Sequence, residues 1–307
     1  MENILKTSPS IRLIGHDRYF DNLVKLYNAN NFPRALLISG KKGIGKYTLV
    51  NHLLTYIYDK SSYNLLTKEI NKDSIFFKQL KADTFPNTII LNKKKNKVDN
   101  IRELKSSLLK TNLNSQPRFI ILDDVETFNN SSLNALLKVI EEPNASNYFI
   151  LINNNKKKLL ETIKSRCITN KLFLTNTQRT NIIEELIKIK DVVPIIDFTK
   201  NNVSPGNYIV FNELLDVNKI NPDEHLVFNI DKILKLYKKN KDSKYIDLST
   251  FLIDQFYSEL LQNNVENFEI LNNIKIKILK NIQNFVQYNL NLNLTINSIN
   301  SHSINAK

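Results

Sequence analysis

Gly40, Gly45 and Lys46 stand at the spacing G-x-x-x-x-G-K, with Gly43 between them, and Tyr47 occupies the next position, where that pattern carries Ser or Thr. The chain has only five glycines, so three within one turn mark a place where the backbone bends sharply or lets something approach closely. The apolar run Leu36-Leu37-Ile38 enters this turn, and Leu49, Val50, Leu53, Leu54 and Ile57 leave it with helical periodicity. A strand, turn and helix of this kind aim backbone amides and one lysine at a polyphosphate held at the helix N-terminus. Magnesium is a separate requirement: it takes near-octahedral oxygens at roughly 2.0–2.1 Å, and a small hydroxyl after the lysine is the usual donor. Tyr47 carries its oxygen at the far end of a rigid ring. Thr48 has a hydroxyl, but the next residue of a helix points about 100° away. The loop speaks for phosphate and against a complete metal site.

Three further groups could do chemistry. Asp123, after the apolar run Phe119–Leu122, is placed like the strand-end carboxylate that lies near the metal in phosphate-loop enzymes. Hydrolysing proteins of that kind usually follow it with Glu to polarise water; here the residue is Asp124, one methylene shorter, and a misplacement of about 1 Å costs on the order of 10²-fold in rate. Both acids also fit a simple strand-to-loop transition. Arg166, in Ser165-Arg166-Cys167, offers a permanently charged, planar fork of donors suited to phosphate oxygens. Asn153 ends another apolar run, but Asn154 and Asn155 adjoin it, so a sensing role and an Asn-rich surface both stay open. Lys138, Glu141 and Glu142 read equally as a solvated face or a contact with a subunit or DNA.

The elements that must position these residues alternate. A helix is expected over Ile14–Asn30, a buried strand over Ala35–Ser39 and a helix to about Tyr58, whereas 59–86 is polar and irregular. Strands follow at Thr88–Leu91, Phe119–Leu122, Tyr148–Ile152 and Ile168–Phe173. Between them come a helix over Val98–Lys110 capped by Asp99, one from Asn130 or Ser131 to Pro143, and a helical turn at Leu159–Lys164. This order predicts a parallel, three-layer α/β domain over 1–173. Beyond it the pattern is helical: one helix through Ile182–Ile187, another over Asp191–Asn201, and a third opened by Ser204-Pro205-Gly206 with Pro205 at the first helical position. Periodic segments continue to Val286, and Asn291 onward is too polar to assign. The divisions expected are 1–173, 174–213 and 214–307.

Charge and composition narrow the partners. The formal charge of +13 favours an acidic partner such as nucleic acid, although the runs Lys93–Lys95 and Lys156–Lys158 read as either solvated loops or phosphate contacts. No apolar stretch reaches the roughly 18 residues of a membrane span, and Met1–Arg12 lacks the apolar core of a secretory signal, so a cytoplasmic protein without a membrane partner is expected. Cys167 is the sole cysteine and the four histidines are scattered, so no metal site is expected.

Taken together, Pro33–Thr48, Val98–Arg102, Asp123-Asp124, Asn134–Pro143 and Thr162–Cys167 resemble the clamp-loader subunits of bacterial DNA polymerase III, which are AAA+ proteins. The string Asn134-Ala135-Leu136-Leu137-Lys138-Val139-Ile140-Glu141-Glu142-Pro143 followed by Thr162-Ile163-Lys164-Ser165-Arg166-Cys167 is specific to that family, and Ser204-Pro205-Gly206 is similar to the motif that opens its second lid helix bundle. The match runs from about 14 to 210; the remainder agrees only in helical character. The resemblance implies an AAA+ P-loop domain, a small helical lid and an all-α collar for oligomerisation. It makes Gly40, Gly43, Gly45, Lys46, Tyr47, Thr48, Asp123, Asp124 and Asn153 the nucleotide-site positions, intact or vestigial. Within the family the chain is most similar to the delta-prime branch, whose own site is degraded. Tyr47, Asp124 and Asn207 (where the lid often carries a basic residue) agree with that, so ATP with magnesium is weakly supported. The four-cysteine zinc module common in the family has no cysteine to build it in 59–86, and no zinc is expected. Arg166 becomes an arginine finger acting in trans. Implied partners are gamma/tau-like and delta-like subunits, a sliding clamp, and primed DNA through the assembly. The alternatives are an ATP-hydrolysing gamma/tau-like motor and a DNA-binding adaptor that uses its basic surface.

Overall fold

The computed structural model describes residues 10–92, 98–108, 116–141, 146–263 and 267–304. The Lys93–Lys95 run, Glu142, Pro143 and Lys110 lie outside the described residues. The chain forms two compact units, one reaching to Ile182 and including Ser204–Gly206, the other comprising Ile183–Val203 and the residues from Asn207 on.

In the first unit the order is α1 (Asp17–Asn28), β1 (Ala35–Ser39), α2 (Lys46–Tyr58), a hairpin of β2 (Tyr63–Asn64) and β3 (Glu69–Ile70), α3 (Ile75–Lys81), β4 (Thr88–Leu91), α4 (Val98–Leu108), β5 (Arg118–Asp123), α5 (Asn130–Glu141), β6 (Asn147–Asn153), α6 (Glu161–Lys164) and β7 (Ile168–Lys171), after which α7 (Asn176–Lys190) begins. The five long-range strands form one parallel sheet in the order β4-β5-β6-β1-β7. Side chains of β1 alternate between two cores: Leu36 and Ile38 pack with Phe20, Leu49 and Leu53, whereas Ala35 and Leu37 pack with Leu104, Leu136 and Phe149. Burial on both faces is why these strands read as unbroken apolar runs, and it makes the three layers. The register sets Ser39 beside Asn153 and Asp123 beside Ile152, so β1, β5 and β6 finish level at one edge of the sheet. In open α/β sheets that carboxyl edge is where ligands are met.

Several boundaries differ from the sequence expectation. Gly15 has φ +82°, and α1 starts only at Asp17. Asp99 lies inside the first turn of α4, not at its cap, where its charge still suits the helix N-terminus. β7 stops at Lys171, two residues before Phe173. The irregular stretch 59–86 folds as the hairpin and α3, whose cap is Ser74 accepting from the Phe77 amide at 3.1 Å.

The buried His52 fastens this hairpin. Its Nε2 donates to Ser10 O at 3.0 Å, which leaves Nδ1 to accept from the Tyr63 hydroxyl at 3.0 Å. Burial lowers its pKa to about 4. A folded-state value below the unfolded one means that the stabilisation is complete above pH ~6.5 and is lost as pH falls towards about 4. Roughly 2 kcal/mol should therefore be lost between pH 7 and 5. Urea midpoints across that range test this, and an equally steep decline in His52→Gln would assign the effect elsewhere.

In the second unit α7 ends at Lys190 and 191–201 is not helical, contrary to the periodicity. Pro194 interrupts the run, and the buried Asn212 takes the next amides: its Oδ1 accepts from Ile195 N at 2.6 Å and Ile196 N at 2.9 Å, while its Nδ2 donates to Tyr208 O. α8 (Pro205–Val217) does begin with its proline. α9 (Leu226–Asn240), α10 (Ser243–Asn263), α11 (Phe268–Tyr288) and α12 (Leu292–Ile304) then pack in sequence, with α12 returning to α9. α12 forms in the stretch that looked too polar because Leu292, Thr295 and Ile299 suffice to bury one stripe, and Asn291 accepts from the Asn293 amide at its start. No helix among the described residues is long and apolar enough to cross a membrane.

Candidate functional site

The glycine turn joins the end of β1 to the start of α2. Gly40 donates its amide to Asn153 O at 3.1 Å, and a Cβ there would lie 2.5 Å from Leu172 O. Gly43 and Gly45 hold φ of +81° and +97°, the left-handed values that favour glycine. Carbonyls of Gly40, Lys41, Gly43 and Ile44 are engaged by donors of the protein itself. Lys46 Nζ reaches back to Gly40 O at 2.7 Å and Lys41 O at 2.6 Å. His16 Nε2 donates to Ile44 O at 2.5 Å, and Gly206 N, in the first turn of α8, donates to Gly43 O at 2.7 Å. Lys46 is buried, which lowers its pKa to about 8 against the opposing pull of Asp123, Glu126 and Asp124, so it stays charged at pH 7.

Tyr47 is half-buried, its ring packed against the cluster that includes Leu49 and Leu53. Burial, and then the charges of Asp123 and Asp83, push its hydroxyl up to about 12. Thr48 follows it on α2, also half-buried. Asp123 at the end of β5 has its pKa raised to about 6, first by burial and then by Asp124. Asp124 takes a left-handed φ of +56°, gives its amide to Asp123 Oδ1 at 3.0 Å, and accepts from Asn154 Nδ2. Asn153 is buried between strand ends, its Nδ2 donating to Ser39 Oγ at 3.0 Å and its Oδ1 accepting from Asn155 N at 3.0 Å.

The fold thus gathers the glycine loop, Asp123, Asp124 and Asn153 at one sheet edge. These groups do not fit a magnesium-bound nucleotide. The position after Lys46 offers no small hydroxyl, and Asp124 is turned to Asn154. Glu126, which sequence reasoning missed, is buried and accepts from Asn154 N at 3.1 Å and Lys156 N at 3.4 Å, so it pins the loop after β6. The available signal was an acid between Val125 and Phe128, both buried, three residues after Asp123.

Arg166 is set apart from this edge. It follows α6, is exposed, and directs its hydrogen bonds to Glu141, Thr162 and Ser165, none of them in the glycine loop. Cys167 beside it is half-buried, which pushes its thiol up to about 11 and keeps it from acting as a thiolate at neutral pH.

A family model described as DNA polymerase III, delta subunit, matches residues 15–175. The DNA polymerase III subunit delta' of Buchnera aphidicola subsp. Schizaphis graminum (strain Sg) is 31% identical over 160 residues, which are 50% of this chain and 47% of that protein. The subunit gamma of Buchnera aphidicola subsp. Acyrthosiphon pisum (strain APS) is 26% identical over 171 residues, 55% of this chain and 46% of its own. A gamma subunit-related protein of Thermotoga maritima, of known structure, is 17% identical with a TM-score of 0.47, covering 93% of this chain and 99% of its own. The chain spans about half the length of the curated relatives it matches.

Proposed function

The chain belongs to the DNA polymerase III delta-subunit family, among the clamp-loader subunits, and from that premise we propose that it is a delta-prime-like, non-motor subunit presenting Arg166 to ATP on a neighbour. The reading is carried by the contrast between two cations. Lys46 is buried and bonded to its own loop, whereas Arg166 is exposed and keeps its NH2 group without a hydrogen bond among the described residues. A guanidinium delivered to a neighbour's γ-phosphate offsets the charge that develops as the phosphoryl group leaves. Such a group is worth roughly 10³–10⁵ in rate, or about 4–7 kcal/mol of barrier.

In this reading 174–213 is the lid and 214–307 the collar that holds the ring. The bundle of α9 to α12 exposes Phe268, Ile270, Ile276 and Leu294, apolar surface of the kind that subunit contacts cover. The partners are gamma/tau-like and delta-like subunits, and the assembly opens a sliding clamp and closes it on primed DNA.

The complete glycine spacing, Lys46 and Asp123 favour a second reading, an ATP-hydrolysing gamma/tau-like motor. The isolated chain separates the two. It is expected to hydrolyse no ATP above background, and to co-purify with gamma/tau-like and delta-like subunits in a complex stimulated by primed DNA. Turnover by the isolated chain that Lys46→Ala abolishes would establish the motor instead.

A further inference from the structure

Glu141 lies in α5, at the limit of the described residues of that helix. Its Oε1 accepts from Arg166 Nε at 2.5 Å. The NH1 group of the same guanidinium donates to Thr162 O at 3.1 Å and to Ser165 Oγ at 3.4 Å. Acceptors from α5 and from the turn around α6 therefore hold Nε and NH1, and NH2 has no hydrogen bond among the described residues. The side chains of this ion pair are 39% and 45% exposed, so the pair adds little to folding stability. Its effect falls on the freedom of the arginine, a long side chain that would otherwise sample many rotamers at the surface. The contact also joins the segments 134–143 and 162–167, which stand apart in sequence.

We propose that Glu141 is the positioning residue of Arg166, holding Nε while Thr162 and Ser165 hold NH1, so that NH2 meets an incoming phosphate oxygen in a set geometry. The proposal rests on the reading of Arg166 as a finger for a neighbour's nucleotide. In this proposal Glu141 acts through Arg166 and not on the nucleotide. Its removal therefore leaves the charge present but misplaced, which raises the barrier without weakening ATP binding.

The test is the steady-state ATPase of the reconstituted complex on primed DNA, carrying Glu141→Ala, Glu141→Gln, Arg166→Ala or both alanines. Glu141→Ala should lower kcat about 10-fold, short of the roughly 10²-fold that a displacement of about 1 Å can cost, with KM for ATP within about twofold of wild type. Glu141→Gln, which keeps an acceptor and loses the charge, should recover most of that loss. The double variant should be no slower than Arg166→Ala alone, because nothing remains to be positioned. Wild-type kcat in Glu141→Ala beside a slow Arg166→Ala would overturn the positioning role and leave the finger standing. Losses that multiply in the double variant would do the same. Wild-type turnover in Arg166→Ala would remove the finger and this proposal with it. Should Glu141→Ala fail to assemble, the charge reversal Glu141→Lys at this exposed position decides: a fall in kcat of about 10-fold or more at constant KM supports the role, and a rate equal to wild type overturns it.

Discussion

Arg166→Ala is expected to lower ATP hydrolysis at the neighbouring site by about 10³-fold or more, the range found for arginines supplied across an interface. Folding and assembly should be untouched. The side chain is exposed and so are its partners Glu141, Thr162 and Ser165, so truncation opens no cavity and leaves no buried group without a partner. Arg166→Lys keeps the charge but not the planar fork, and should restore only a small part of the rate. The measurement is DNA-stimulated ATPase of the rebuilt complex beside gel filtration of the same samples. The total rate retains the share of any site that Arg166 does not face, so single-turnover hydrolysis is the cleaner readout. Unchanged turnover would rule out the finger.

The second large effect is on stability. A Cβ at residue 40 would stand 2.5 Å from the carbonyl oxygen of Leu172 and 2.7 Å from Ile44 Cδ1. The isoleucine methyl can swing aside, but the carbonyl cannot: the amide of Leu172 is bonded to Ser39 O at 2.8 Å, on the strand that leads into the loop. Gly40→Ala must therefore pry the end of β1 from the segment after β7. The expected cost is about 3 kcal/mol, the upper part of the range for overpacking, or a fall of very roughly 10 °C in Tm. Gly45→Ala is the contrast. There the nearest atoms are 3.4 and 3.5 Å away, so the cost comes from a φ of +97° alone, about 1–2 kcal/mol. Thermal melts of the two variants should rank in that order; equal losses would show that backbone strain, and not contact with Leu172, limits residue 40.

Much of the α/β unit was legible because its signals are local. Leu36–Ile38, Phe119–Leu122 and Phe149–Ile152 are buried on both faces, so the chain writes them as continuous apolar runs. Residues 191–201 misled because helical periodicity survives there while Pro194 lacks an amide hydrogen and the distant Asn212 takes the amides of Ile195 and Ile196. α12 was hidden for the converse reason: three inward positions are enough for a helix that needs to cover only one side of a bundle.

By itself the sequence determined the glycine loop, its place between a strand and a helix, and the loss of a small hydroxyl at Tyr47. Those properties belong to single residues and to their neighbours along the chain. Only the tertiary structure decided where the charges go. Strand order places β1 between β6 and β7, and so brings Asn153 and Leu172 against Gly40. His16, Gly206 and Lys46 close on the loop's carbonyls from three separate parts of the chain. Glu141 meets Arg166 across 25 positions. Long-range pairing of this kind depends on which surfaces can be buried together, and no window of neighbouring residues contains that information.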